Sequence, residues 1–208
     1  VPVTGGNASL YNETDGEAIL PTLIVGVVGA IDDYHKAVFS PFPGAGYAIY
    51  LLGTPREGIG GSVFLKHQTG KIAGECPYLD IKEEKRLQEC IRALIHEGTI
   101  TSAQDVSDGG LAVALAECCL LGNVGLRMQI TGNVSPEAFF FGESQSRIVV
   151  SLREENIPHF EALCKKWNIS TTRLGITTEE GTLSLCYNDS TINIPVKEAK
   201  NLYFTEYL

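Results

Sequence analysis

No long hydrophobic run occurs in this sequence. The longest apolar stretch, residues 22–31, contains glycine and ends at Asp32-Asp33. A membrane-spanning helix needs about 20 apolar residues. The stretch therefore reads as a buried strand, and no membrane partner is expected. No secretory signal precedes it, so the expected location is the cytoplasm. Positive charge is scarce as well. Lys and Arg number 16 against 25 Asp and Glu, a formal net charge of -9. A surface of that sign repels phosphate backbones, so nucleic acid is not an expected partner. It does not exclude small anionic substrates, which a few local donors hold. No Cys-x-x-Cys pair occurs among the six cysteines. Cys90, Cys118, Cys119 and Cys164 fall on apolar stripes of expected helices and read as reduced core thiols. The histidines, His35, His67, His96 and His159, are scattered. None forms a metal-binding pair or nominates a general base. N-x-S/T triplets begin at Asn7, Asn12, Asn133, Asn168 and Asn188; patterns this short arise by chance and carry no weight. An initiator Met is missing too. The chain starts Val1-Pro2-Val3, and a glycine-rich motif follows at once. Such motifs follow an element that positions them, so the protein is expected to extend upstream.

What is present is a globular composition. Hydrophobic residues make up 44% and charged residues 20% of 208 residues. That suffices for one sizeable core, or one core and a fragment of a second. Residues 4–15 are rich in Gly and Asn and read as a loop. The segment Ser40-Pro41-Phe42-Pro43-Gly44 continues neither a helix nor a central strand, and a domain boundary is placed near residues 32–36. Residues 46–53 read as a strand apolar on both faces. Residues 58–61 read as a turn and 62–67 as a short helix. Residues 82–97 form the clearest amphipathic helix, with Leu87, Cys90, Ile91, Leu94 and Ile95 at helical spacing and Gly98 as its stop. Residues 100–106 read as a strand, Ser107 as an N-cap and 111–121 as a helix. Strands are expected at 126–130 and 147–152, a helix at 154–167, and short strands at 171–176, 182–187 and 191–196. This mixture predicts an α/β or α+β sandwich over residues 36–208. No internal repeat is visible.

Three strings stand out. The first is Thr4-Gly5-Gly6-Asn7-Ala8-Ser9-Leu10-Tyr11-Asn12-Glu13. Its glycines let backbone amides approach a phosphate. Asn7 offers a neutral oxygen to Mg²⁺, and Ser9 offers a hydroxyl. Gly-Gly-Asn alone is more often an ordinary turn, and the string lacks the Gly-Lys-Ser/Thr of a Walker A loop. The second is Asp105-Val106-Ser107-Asp108-Gly109-Gly110-Leu111-Ala112. A strand enters a tight turn and a helix leaves it, so free amides at the helix start favour an anion. A helix start with glycines for close packing fits equally well. The third is Phe141-Gly142-Glu143-Ser144-Gln145-Ser146-Arg147. A dense polar turn beside Phe139-Phe140-Phe141 suits a pocket, because unpaired polar groups there are costly. A hydrogen-bonded turn with Arg147 in a local salt bridge is the alternative.

The strings Ser-Asp-Gly-Gly-Leu-Ala, Phe-Gly-Glu-Ser-Gln-Ser-Arg and Gly-Asn-x-Ser-Leu-Tyr-Asn-Glu, taken together, resemble the formylglycinamidine ribonucleotide synthase family. Ala8 stands where that family more usually has valine. The resemblance covers essentially the whole chain. It implies the C-terminal domain of the aminoimidazole ribonucleotide synthetase-like superfamily, preceded by the tail of its nucleotide-binding domain. Residues 1–33 would be the tail of the second nucleotide-binding domain, and residues 36–208 the second C-terminal domain. Residues 202–208 resemble the terminus of the small form of the synthetase subunit. The implied reaction is ligation of ammonia, drawn from glutamine, to formylglycinamide ribonucleotide, with ATP and Mg²⁺. By resemblance Gly6 contacts ATP, Asn7 ligates Mg²⁺ and Ser9 contacts substrate. Asp108, Gly109, Gly110, Glu143, Ser144 and Gln145 would line a second, pseudo-symmetric pocket. Catalytic residues are expected upstream of this chain, which alone is expected to be inactive. The implied partners are a glutaminase subunit, a small accessory subunit and the rest of the synthetase chain. Another synthetase of the same superfamily and a non-catalytic nucleotide-binding module are the rival readings.

Overall fold

The computed structural model describes residues 2–205. The chain divides into two compact units, Val1–Ala37 and Val38–Leu208. In the first, β1 (Val3–Ser9) carries the glycine-rich string that reads as a loop in sequence. It pairs with β4 (Thr22–Val27) in an antiparallel ribbon. Between them, β2 (Glu13–Thr14) and β3 (Glu17–Ala18) form a short hairpin. Its Asp15-Gly16 turn has both residues at positive φ, 53° and 82°, as a two-residue hairpin turn requires. A loop reading of residues 4–15 fails because the ladder partner lies outside the string. The expected buried strand is also corrected. All six residues of β4 are exposed, since the described unit lays no layer of side chains over the ribbon.

The second unit is built on a seven-stranded sheet. In chain order its elements are β5 (Ala48–Leu52), α1 (Val63–Thr69), α2 (Ile81–His96), β6 (Ser102–Asp105), α3 (Gly110–Gly122), β7 (Gly125–Ile130), α4 (Pro136–Phe141), β8 (Ile148–Leu152), α5 (Ile157–Lys166), β9 (Thr171–Thr178), β10 (Thr182–Tyr187), β11 (Ser190–Pro195) and α6 (Val196–Thr205). The strand order is β11-β10-β7-β9-β5-β8-β6. Only β7 and β10 run parallel among its described pairs. This is the mixed α/β architecture expected from the sequence.

Strand β5 explains its own composition. Side chains alternate across a sheet, so Ile49 and Leu51 enter one core while Ala48, Tyr50 and Leu52 enter the other. The first core packs α3, α4 and the start of α6 on one face of the sheet. The second packs α2 and α5 on the opposite face. Helix α2 begins at Asp80, whose carboxylate accepts from the Lys82 and Glu83 amides at 2.8 and 3.1 Å. Those two bonds hold the Asp80 carboxyl below its usual range. Four cysteines are buried as expected, and Cys90 donates to Cys164 with sulfurs 3.9 Å apart. Ser107 does not cap α3. The N-cap is Gly109, at φ 79°, and the Ser107 carbonyl accepts from Gly110 N. Helices α4 and α6 have no counterpart in the sequence reading. Residues 206–208, part of the terminus matched by resemblance, lie outside the described residues.

Candidate functional site

On β1, period-two geometry puts Asn7 and Ser9 on one face and Gly6 on the other. The Ser9 hydroxyl donates to Asn7 Oδ1 at 3.4 Å, and both residues are exposed or nearly so. A Cβ on Gly6 would stand 2.5 Å from Ile24 O. The missing side chain is thus required by the pairing of β1 with β4. Asn7 and Ser9 offer neighbouring polar atoms on one face of β1.

The second cluster gathers around residues 143–147. Glu143 Oε1 accepts from Val63 N at 2.8 Å and from Gly109 N at 2.8 Å. One carboxylate therefore joins the start of α1 to the turn before α3. The sequence offered that turn to an outside anion; here the protein supplies the anion itself. Gly110 is bare for another reason. Its φ is 74°, and a Cβ there would lie 2.8 Å from the carbonyl oxygens of Phe140 and Gly142. The glycine lets the start of α3 cross the end of α4. Phe141 of α4 stacks on Phe64 of α1, ring centroids 4.7 Å apart.

Arg147 holds the same turn from below. Its Nε donates to Ser144 O at 3.0 Å, and Nη2 donates to Gly142 O at 2.5 Å. The local salt bridge considered from sequence is not formed among the described residues. Burial pushes the Arg147 guanidinium down to about 10, against the opposing pull of Glu143.

These residues do not converge on one pocket. Glu143 and Gln145 line a cavity of about 420 Å³ with Asp105, Ser107, Asp108, Glu84 and Arg147. Ser144 lines a different cavity of about 450 Å³, beside Arg56, Gly60 and Tyr78. Gly109 faces a third, mostly apolar groove of about 770 Å³ bounded by α3, β10, β11 and α6. Asp108 borders both the first and the third. Glu84 and Gly61 were invisible as site residues. They sit on α2 and ahead of α1, remote in sequence, and carry no local signal. His159 makes an exposed contact with Glu97 at 2.7 Å, a surface role. Among the described residues no three His, Cys, Asp or Glu side chains gather to hold a metal. No helix among them is long and apolar enough to cross a membrane.

The family model for AIR synthase related protein, C-terminal domain, matches residues 44–188, which contain the sheet from β5 to β10 and the whole Glu143 cluster. This chain belongs to that family. Its membership in the AIR synthase related family fits the fold class expected from the motifs. The resemblance is borne out by curated relatives. The phosphoribosylformylglycinamidine synthase subunit PurL of Anaeromyxobacter sp. (strain Fw109-5) is 40% identical over 207 residues, covering 95% of this chain and 26% of that protein. The subunit of the same name from Bradyrhizobium sp. (strain ORS 278) is 42% identical over 177 residues, covering 85% of this chain and 24% of that protein. The chain thus spans about a quarter of the length of these relatives. Among solved structures, T. maritima PurL complexed with FGAR superposes with a TM-score of 0.70 at 22% identity, over 86% of this chain and 31% of that one. That last likeness is one of fold.

Proposed function

We propose that this chain is the C-terminal portion of a formylglycinamidine ribonucleotide synthase subunit, acting in de novo purine biosynthesis. The observation that carries the reading is the 40% identity to a PurL subunit across 95% of the chain. In the complete protein, ATP phosphorylates the amide oxygen of formylglycinamide ribonucleotide. Ammonia from glutamine then displaces phosphate to give the amidine, with release of ADP. Residues 1–33 are read as the tail of the second nucleotide-binding domain, and residues 36–208 as the second C-terminal domain. The exposed apolar residues of β4 accord with a ribbon that other parts of the polypeptide cover.

Gly6 is assigned to ATP through its backbone, Asn7 to Mg²⁺ and Ser9 to the substrate. A neutral amide oxygen suits Mg²⁺ as one ligand of an octahedral shell. Asn7 Oδ1 accepts one weak hydrogen bond and keeps a lone pair. It would supply one oxygen, and the carboxylate ligands would come from outside the described residues. Bound there, Mg²⁺ would offset phosphate charge. Asn7 would orient the nucleotide, and Ser9, on the same face, would donate to the ribonucleotide. The pocket of Asp108, Glu143 and Gln145 is read as the second, pseudo-symmetric one. A glutaminase subunit and a small accessory subunit are the proposed partners, in the cytoplasm. A PurLQS structure from Thermotoga maritima is among the solved structures of similar fold.

The test is to extend the chain upstream by the missing halves. The extended protein is then assayed with ATP, Mg²⁺, ammonia and formylglycinamide ribonucleotide. ADP release that depends on the ribonucleotide is expected, and Asn7→Ala should impair Mg²⁺-ATP use without a large loss of melting temperature. A folded extended protein with no turnover would sink the reading.

A further inference from the structure

The proposed reaction makes no use of the cysteines, yet two of them meet across helices. Cys90 on α2 and Cys164 on α5 are 74 positions apart in sequence, and their sulfurs are 3.9 Å apart. Each lies on the buried stripe of its helix. Leu87 and Leu94 stand one turn to either side of Cys90, and Phe160 one turn before Cys164, all in the same core. Packing on both helices therefore aims the two thiols at each other. Cys118 and Cys119 are buried as well, but they are consecutive on α3. Consecutive helical residues do not face each other.

A disulfide holds its sulfurs about 2.05 Å apart, so closure needs about 1.9 Å of movement. Side-chain torsions on the two helices share it. The sulfurs are 0% and 1% exposed by residue, so neither protein thiols nor bulky disulfides reach them directly. The covering is thin, however. Gln88 and Arg92 on α2, and Glu161, Ala162, Lys165 and Lys166 on α5, are exposed. One layer of helices thus separates the pair from solvent, and a small oxidant enters through the local openings of such a layer.

We propose that Cys90 and Cys164 form a redox modification site, in which a hydroperoxide converts the two thiols into one disulfide that staples α2 to α5. The thiolate of one cysteine attacks a peroxide oxygen. An S–O bond forms, the O–O bond breaks, and the departing oxygen takes a proton. The second sulfur then attacks the first. An S–S bond forms, the S–O bond breaks, and hydroxide leaves as water with the second thiol proton. With hydrogen peroxide, two thiols and one peroxide give one disulfide and two waters. The sulfurs lose the two electrons that the peroxide gains. The bridge encloses α3, α4 and the turn at residues 143–147. It also fixes α2, whose Glu84 and Leu87 line the 420 Å³ cavity. Closing so long a loop restricts the unfolded chain more than the folded one.

The second unit has two cores of its own, so the 208-residue chain is a fair object for the test. A Cys76→Ser background removes the exposed thiol, which would otherwise bridge between molecules. The folded protein is treated with hydrogen peroxide well below its melting temperature, the remaining thiols are blocked in denaturant, and the protein is digested with trypsin without reduction. Peptides 87–92 and 154–165 should appear joined, two hydrogens lighter than their sum, from protein that runs as a monomer. The melting temperature should rise by about 5–15 °C, amide exchange in α2 should slow, and dithiothreitol should reverse all three. Cys90→Ala should abolish the joined peptide and the rise, and leave Cys164 free to be blocked. The map of the unsubstituted pair decides by itself should that variant fold poorly. Recovery of Cys90 and Cys164 as blocked thiols overturns the proposal. So does their conversion to sulfinic or sulfonic acids without a link, or a link that leaves the melting temperature unchanged or lower. The test reads no turnover and does not rest on the synthetase reading, so the failure of either leaves the other standing.

Discussion

Replacing Glu143 by alanine removes one carboxylate and orphans two amides in separate elements. Val63 is 49% exposed, so its amide regains water. Gly109 is buried and its amide does not. A hydrogen bond to a charged group contributes roughly 1.5–3 kcal/mol, more of it lost where the abandoned partner stays dry. The alanine variant should therefore lose about 2–4 kcal/mol, most of it from the Gly109 side. For a unit of this size, each kcal/mol lowers the melting temperature by about 2–4 °C, so a fall on the order of 10 °C is expected. Glutamine keeps one acceptor oxygen without the charge and should lose roughly half as much free energy. The assay is thermal unfolding of wild type, Glu143→Gln and Glu143→Ala, with hydrogen exchange at the Val63 and Gly109 amides. Exchange should accelerate at both amides together. An alanine variant that melts within about a degree of wild type would refute the idea that this carboxylate clamps α1 to the α3 turn.

Three further outcomes follow from the packing. Gly110→Ala should destabilise by roughly 2–4 kcal/mol, because its positive φ and the carbonyls of Phe140 and Gly142 both oppose a Cβ; an unchanged denaturant midpoint would contradict the close crossing of α3 and α4. Leu126→Ala, fully buried on β7, should cost about 2–5 kcal/mol, whereas Leu121→Ala, half-exposed at the end of α3, should stay within about 1 kcal/mol; comparable losses would mean the core is misplaced. Burial pushes the thiols of Cys118 and Cys119 up, Cys119 to about 12. A raised folded value means stability is fully present below the ordinary thiol value of 9.0 and is lost as pH rises from there through the folded value. At mildly alkaline pH, exposed Cys76 should alkylate first and Cys119 only on unfolding, as peptide mapping after iodoacetamide would show.

The amino-acid sequence by itself determined the elements whose signals are local. Helix α2 has an apolar stripe, an Asp80 cap and the Gly98 stop, all within one short window. Strand β5 announces burial on both faces through an unbroken apolar run, and the structure puts a core on each side of it. The turns around Gly109 and Glu143 were also visible as dense motifs, because glycine and clustered polar residues are unusual beside apolar runs. What those motifs do was not visible. Strand β1 looks like a loop until β4 supplies its ladder, and helix α4 is a six-residue apolar segment too short for a periodic signal. The pairing of Glu143 with the amides of Val63 and Gly109 joins residues 80 and 34 positions apart. Only the folding of α1, α3 and α4 against one another brings them together. The placement of Arg147 is likewise a tertiary fact. Its burial, and the division of Glu143 and Ser144 between two cavities, depend on which atoms surround the turn, and no local pattern encodes that.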